Sequence, residues 1–254
     1  MNLKKEQVIA GAEAFLLKGN EIGILLSHGF VGTPQSVREV GQLLNQYGYT
    51  VLAPRLTGHG TSSADLEQAT YTDWLDDLES AYLQLKETCD EIFVVGQSMG
   101  GALCLQLAAK FPEIKGVATI NAALHVPAYE QYRNSRGPRF IPEAAPDIKD
   151  RSATEITYHE VPLTAIHELQ KLLDLTIAQL GNVQIPVLTI VSAEDHVVPP
   201  SDSAQIIETV ASEIKSQIVL KNSYHVATLD HDKEKIALSC HSFVKKIINR
   251  QRAS

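Results

Sequence analysis

Short apolar runs alternate with longer amphipathic stretches along most of the chain. Seven runs read as strands, at residues 12–17, 22–27, 50–53, 92–95, 114–120, 187–191 and 217–220. The later ones are dense in Ile and Val without polar alternation, the pattern of strands covered on both faces. Helical spacing recurs between them. Val37, Val40, Leu44 and Tyr47 follow Thr33-Pro34, where the threonine reads as an N-cap and the proline as the first helical residue. Leu75, Leu78, Tyr82 and Leu85 form a second stripe, and Ile236, Cys240, Phe243, Val244, Ile247 and Ile248 mark one face of a long final helix. Such alternation predicts an α/β domain built on a mostly parallel sheet flanked by helices.

The alternation breaks once. Residues 125–182 hold no convincing strand; a Pro/Arg/Gly-containing stretch at 133–146 precedes a helical run through Leu163, Ile166, Leu169, Leu172, Leu173, Ile177 and Leu180. This segment is either a cover over the carboxyl ends of the strands, where such sheets bind ligands, or one more packed helical region. With no repeat, low-complexity tract or linker, residues 1–254 read as one domain.

Composition narrows the function. Acidic residues (30) exceed basic ones (22), giving a net charge of −8, which argues against binding nucleic acid, where concentrated Lys and Arg must displace counterions. Apolar residues at 44% and charged ones at 20% supply a core. Cys89, Cys104 and Cys240 lie far apart with no CxxC spacing, so neither a disulfide framework nor a zinc site is expected, and a reducing cytoplasm fits. Met1 to Glu6 carries basic residues without an apolar stretch behind them, so no secretory signal is read. Residues 92–109 are 18 positions without a charge, the length at which a membrane span is considered. Their three glycines and the polar Gln97, Ser98 and Gln106 instead suggest two elements joined by a sharp turn.

That turn carries the candidate chemistry. Gly96-Gln97-Ser98-Met99-Gly100 has the form G-x-S-x-G, between an apolar run and a helical one ended by Pro112. A nucleophilic serine needs this: a strained strand-to-helix turn that exposes Oγ, with glycines where side chains would collide. The alternative is a glycine-rich turn with an incidental serine. A hydroxyl also needs a base, and behind such a turn the partners follow in the order Ser, acid, His. Of nine histidines, His225 stands just after the last apolar run, while His231 and His241 read as surface or packing residues. The acid should follow the run at 187–191, where Asp195 is the shortest reach and Glu194 its rival; Asp202 reads as a helix cap. Two backbone donors are needed for an oxyanion: the N–H of Met99, and the N–H of Phe30 in the glycine-flanked loop after the run at 22–27, which His28 would brace. The Asp195-His196 neighbours lack further ligands at metal spacing, so no metal or other cofactor is expected.

The segments His28 to Pro34, Pro54 to Gly60, Gly96 to Gly101, Ile120 to Ala123, Glu194 to Pro200 and Asn222 to Asp230 resemble the α/β-hydrolase superfamily, within it the bacterial monoacylglycerol lipase and carboxylesterase group. The likeness runs from about residue 8 to the C-terminus. It implies Ser98, Asp195 and His225 as a catalytic triad, Phe30 and Met99 as oxyanion donors, and a small inserted cap at about 125–182. The cap would cover an acyl pocket with a polar niche for a glycerol head. In similar lipases an acidic cap residue bonds the glycerol hydroxyls; the corresponding position here falls on His159, beside Glu160. Implied, then, is hydrolysis of monoacylglycerols and related carboxylic esters through an acyl-enzyme. Two alternatives are a general short- or medium-chain carboxylesterase or thioesterase, and a non-catalytic binding protein on the same fold. The expected partner is a small-molecule lipid ester, with transient contact to lipid aggregates and a monomer or homodimer as assembly.

Overall fold

The computed structural model describes residues 7–253; Met1 to Glu6, read above for a signal segment, lie outside them. In chain order the elements are β1 (Phe15–Leu17), β2 (Ile22–Ser27), α1 (Gln35–Gln46), β3 (Thr50–Ala53), α2 (Ser63–Leu66), α3 (Tyr71–Lys86), β4 (Glu91–Gln97), α4 (Met99–Lys110) and β5 (Gly116–Ile120). There follow α5 (Pro127–Glu130), β6 (Phe140–Pro142), β7 (Glu160–Pro162), α6 (Leu163–Gln179), β8 (Val187–Ser192), α7 (Ser201–Thr209), β9 (Lys215–Leu220) and α8 (Lys233–Ala253).

Seven strands form one sheet in the order β1-β3-β2-β4-β5-β8-β9. Every neighbouring pair is parallel except β1 with β3. Alternate side chains of a strand leave opposite faces. Leu25, Val94, Val117 and Val187 accordingly pack with Trp74 and Leu78 of α3, Leu103 of α4 and Ile166 of α6. Ile24, Leu26, Phe93 and Val95 pack on the other side with Val37 and Val40 of α1 and Ile236 and Val244 of α8. Most of these side chains are wholly buried, each contributing about 1.5–3 kcal/mol of transfer free energy. The uncharged stretch at 92–109 is β4 and α4 with Ser98 between them, and no helix among the described residues is long and apolar enough to cross a membrane.

Three local expectations are corrected. Thr33 does not cap α1: Pro34 already has helical φ of −54°, and the buried Thr33 Oγ1 has no hydrogen-bond partner. Asp202 does not cap α7 either. Its buried carboxylate turns out of the helix and accepts the N–H groups of Leu124 and His125 at 2.9 and 2.7 Å. Between β5 and β8 there are strands after all. β6 and β7 pair antiparallel, Ile141 opposite Val161, but each is three residues long and contains a proline, too short to show a period of two.

Candidate active site

The register of the sheet brings the candidate residues to one edge. Ser27 at the end of β2 pairs with Gly96 of β4, and Ser192 at the end of β8 pairs with Leu220 of β9. The loops that leave these four strands carry Phe30, Ser98, Asp195 and His225.

Ser98 occupies the turn from β4 to α4 with φ 55° and ψ −121°, a conformation that strains any residue with a Cβ. Its N–H donates to the Ile120 carbonyl at 2.9 Å, holding the turn against β5. A Cβ on Gly96 would lie 2.1 Å from the Gly100 carbonyl oxygen, and one on Gly100 would lie 2.5 Å from the carbonyls of Ser27 and His28. The two glycines let the backbone close this tightly, which is what the serine motif demands.

His225 Nε2 lies 2.9 Å from Ser98 Oγ, and its Nδ1 lies 2.8 Å from Asp195 Oδ2. A carboxylate accepts only, so Nδ1 carries the proton and Nε2 is left to accept from the hydroxyl. The other Asp195 oxygen accepts the N–H groups of Val197 and Val198 at 2.9 and 2.8 Å, which fixes the carboxylate plane. Asp195 and His225 side chains are 1% and 9% exposed, so the relay is shielded from competing water. The rival acid Glu194 instead points to solvent, 3.9 Å from Lys149.

Phe30 and Met99 line the same pocket as Ser98 and His225. A Cβ on Gly29 would lie 3.2 Å from Ser98 Cβ, so the loop after β2 runs directly beside Ser98. Val31 holds φ 54°, a left-handed bend in the same loop. His28 braces this loop from the core: Nδ1–H donates to the Gly29 carbonyl at 2.9 Å, and Nε2 accepts the Leu56 N–H at 3.3 Å. Burial pushes its pKa down to about 4, so both bonds persist with a neutral ring.

The pocket at Ser98 is lined by apolar side chains, among them Val126, Leu169 and Val197, and by the acidic Glu143, Asp147 and Glu155. Burial raises the Glu155 carboxyl to about 7, with His225 opposing the shift and Glu143 adding to it. Burial also raises Glu143, whose Oε2 accepts the Tyr129 hydroxyl at 2.7 Å. His159 and Glu160 are exposed on the ribbon and do not line the pocket. The reason is local geometry. Tyr158 turns inward to bond Gly58 and Thr61, while the carbonyl of His159 accepts from Glu143 N and that of Glu160 from Ser63 Oγ. Of the three acidic residues that line the pocket, Glu143 accepts from Tyr129 and Asp147 from the His225 and His196 backbones, while Glu155 has its carboxyl raised to about 7 by burial. Sequence reading also missed Asn121, which holds φ 45° at the end of β5 and bonds the carbonyls of Tyr224 and His225 at 3.2 and 2.8 Å. Its signals in the sequence are its position directly after a buried strand and its place in the segment Ile120 to Ala123 that carries the family resemblance, neither of which gives it a role.

Comparison with known proteins agrees with this architecture. Residues 24–140 match the family model described as alpha/beta hydrolase fold, and residues 145–232 match one described as Serine aminopeptidase, S33. The chain is 42% identical over 231 residues to the thermostable monoacylglycerol lipase of Bacillus sp. (strain H-257), covering 90% of this chain and 92% of that one. It is 27% identical over 239 residues to a carboxylesterase of Bacillus subtilis (strain 168), covering 92% and 96%. A solved structure from work on LipS and LipT, two metagenome-derived lipolytic enzymes, superposes with a TM-score of 0.91 at 42% identity, covering 94% of this chain and all of that one. The chain belongs to the α/β-hydrolase family, in the group of bacterial monoacylglycerol lipases and carboxylesterases.

Proposed function

We propose that the protein is a carboxylic ester hydrolase whose substrates are monoacylglycerols, with Ser98 as nucleophile, His225 as base and then acid, and Asp195 as the group that fixes the imidazole. Residues 1–254 form one domain in this reading, and 125–182 is its cap. The observation that carries it is the unbroken relay from Asp195 through His225 to Ser98 in a pocket lined by both apolar and acidic side chains.

Ser98 Oγ attacks the ester carbonyl while its proton passes to His225 Nε2, and Asp195 stabilises the resulting imidazolium. The amides of Phe30 and Met99 take the negative charge of the tetrahedral intermediate, each worth about 3–4 kcal/mol of barrier. The alcohol leaves with the proton held by His225, and water repeats the sequence on the acyl-enzyme. No step needs a metal or other cofactor. The acyl chain packs against the apolar lining residues Val126, Leu169 and Val197, gaining about 0.8 kcal/mol per buried methylene. kcat/KM is therefore expected to rise from acetyl to medium-chain esters; an optimum at acetate would contradict this.

Glu155 supplies the glycerol niche. Near its pKa of about 7 the carboxyl can both donate to and accept from a diol. Asked to replace a hydrogen bond of charged character, worth about 1.5–3 kcal/mol, Glu155→Ala is expected to lower kcat/KM for a monoacylglycerol by about 10–100-fold while leaving the ethyl ester of the same acid within about threefold. Equal losses on both esters would refute a role in reading the alcohol.

The same group gives stability a pH slope. Unfolded, the carboxyl titrates at its ordinary 4.5, and folded at about 7. Between these values the unfolded chain sheds a proton that the folded chain keeps, so this group's contribution falls as pH rises from 4.5 to 7 and is level above. Melting temperatures of Glu155→Gln are expected to gain on those of the unsubstituted protein across that window.

The substrate is a small-molecule ester that partitions into lipid aggregates, so transient contact with them belongs to this reading. Cys89, Cys104 and Cys240 are all free and buried, which suits a cytoplasmic setting.

A further inference from the structure

Asp147, on the cap strap between β6 and β7, touches both loops that carry the base and the acid. Its Oδ2 accepts the backbone N–H groups of His225 and His196, each at 3.1 Å. Its Oδ1 accepts the His196 Nδ1–H at 2.8 Å, and its carbonyl accepts the Val226 N–H at 3.0 Å. Because His196 directly follows Asp195, one carboxylate spans the base and the neighbour of the acid.

The other side of His225 is held by the core. Its carbonyl accepts from Gln97 Nε2 and Asn121 Nδ2, both at 2.8 Å, and Asn121 Oδ1 accepts the Ser192 N–H at 2.7 Å at the end of β8. The strap itself is pinned by the buried Asp230, whose carboxylate accepts the N–H groups of Lys149 and Asp150 from the strap and of Tyr224 from the histidine loop. Gln97 and Asn121 form the lower jaw of a clamp on the His225 backbone, and Asp147 forms the upper.

We infer that Asp147 is a positioning residue through which the seating of the cap strap sets the geometry of His225 against Ser98 and Asp195. This rests on the reading of Ser98, His225 and Asp195 as the reacting relay. Without the carboxylate, two N–H groups on adjacent loops lose their shared acceptor; the histidine loop keeps its Val226 and Tyr224 bonds but is no longer joined through one backbone acceptor to the loop that carries Asp195. A displacement of about 1 Å in a reacting group can cost about 10²-fold in rate. Lys149, which lies 5.3 Å from the Tyr224 ring centroid and 3.9 Å from Glu194, is a cation and cannot replace the lost acceptor.

The test follows the rate of covalent labelling by a small fluorophosphonate, together with kcat, KM and melting temperature on a soluble p-nitrophenyl ester. For Asp147→Ala, labelling and kcat are expected to fall by about 10–100-fold with KM within about threefold. Asp147→Asn keeps an oxygen for both N–H groups and can donate Nδ2–H to His196 Nδ1 in the other tautomer, so it is expected within about threefold of the unsubstituted rate. Unchanged labelling of Asp147→Ala overturns the inference. So does an Asn variant that falls as far as the Ala variant, since that would assign the effect to charge. If Asp147→Ala does not fold, Asp147→Glu makes the same comparison: it keeps the charge but moves both oxygens by a methylene, a labelling loss is expected, and an unchanged rate overturns the inference. Failure of the unsubstituted protein to label would instead bring down the relay reading beneath it.

Discussion

Ser98→Ala is expected to lower kcat by about 10⁴–10⁶ while leaving the fold intact. The argument is geometric. The hydroxyl is the atom 2.9 Å from His225 Nε2, and no neighbouring side chain can supply an oxygen at the tip of the turn. Removing it leaves the Asp195–His225 bond in place and opens only a hydroxyl-sized gap, so the melting temperature should move by no more than a few degrees. Asp195→Asn tests the same relay from its far end. An amide can donate to Nδ1 and so favours the tautomer that places the proton on Nε2, facing the serine. A loss of about 10⁴-fold is expected. Steady-state rates on a p-nitrophenyl ester read both variants, and a residual rate within tenfold of the original for either would be incompatible with the assigned roles.

Gly96→Ala is expected to have the largest effect on stability. The added Cβ would stand 2.1 Å from the Gly100 carbonyl oxygen and 2.3 Å from its carbon. These are backbone atoms within α4, so no rotamer change relieves the clash. Either β4 leaves its register with β2 and β5 or the first turn of α4 lifts away, and both disturb contacts buried in the core. Overpacking of this kind typically costs about 1–3 kcal/mol where side chains can yield, and a rigid backbone neighbour places this site above that, at about 4 kcal/mol or more. Chemical denaturation of the variant would measure it; a loss below about 1 kcal/mol would mean the turn is far softer than its strained dihedrals imply.

The interior of the sheet was legible in the sequence because its strands are buried on both faces. The runs at 22–27 and 50–53 agree with β2 and β3 end to end. Edge strands were read less well. β9 begins at Lys215 rather than 217, since Lys215, Gln217 and Val219 are exposed while Ser216 and Ile218 are partly covered, and the polar start of that alternation does not look like an apolar run. β1 is shorter than the reading for the opposite reason: Ala12 is buried but belongs to the turn before the strand.

The same distinction governs the site. Ser98, Asp195 and His225 could be nominated because each follows its own strand, a signal carried within a few residues. Asp147 and Glu155 could not, because nothing near them in sequence announces their contacts. Asp147 meets His225 across 78 residues and His196 across 49, and Glu155 lines the pocket between Thr154 and Ile156, which bond the distant Gln35. His159 and Glu160, to which the resemblance pointed, are exposed, while Glu155 lines the pocket, and in irregular chain there is no period from which facing can be read.

The most direct test of the account is to identify the residue modified when the protein is incubated with a long-chain alkyl p-nitrophenyl phosphonate, which loses p-nitrophenolate to an attacking hydroxyl and leaves a phosphonyl ester that imitates the tetrahedral state of ester cleavage. Mass spectrometry is expected to find one phosphonyl group per chain, on Ser98, formed rapidly in the unsubstituted protein, slowly in Asp195→Asn and not at all in Ser98→Ala. An unmodified protein, or a label on any other side chain, would contradict it.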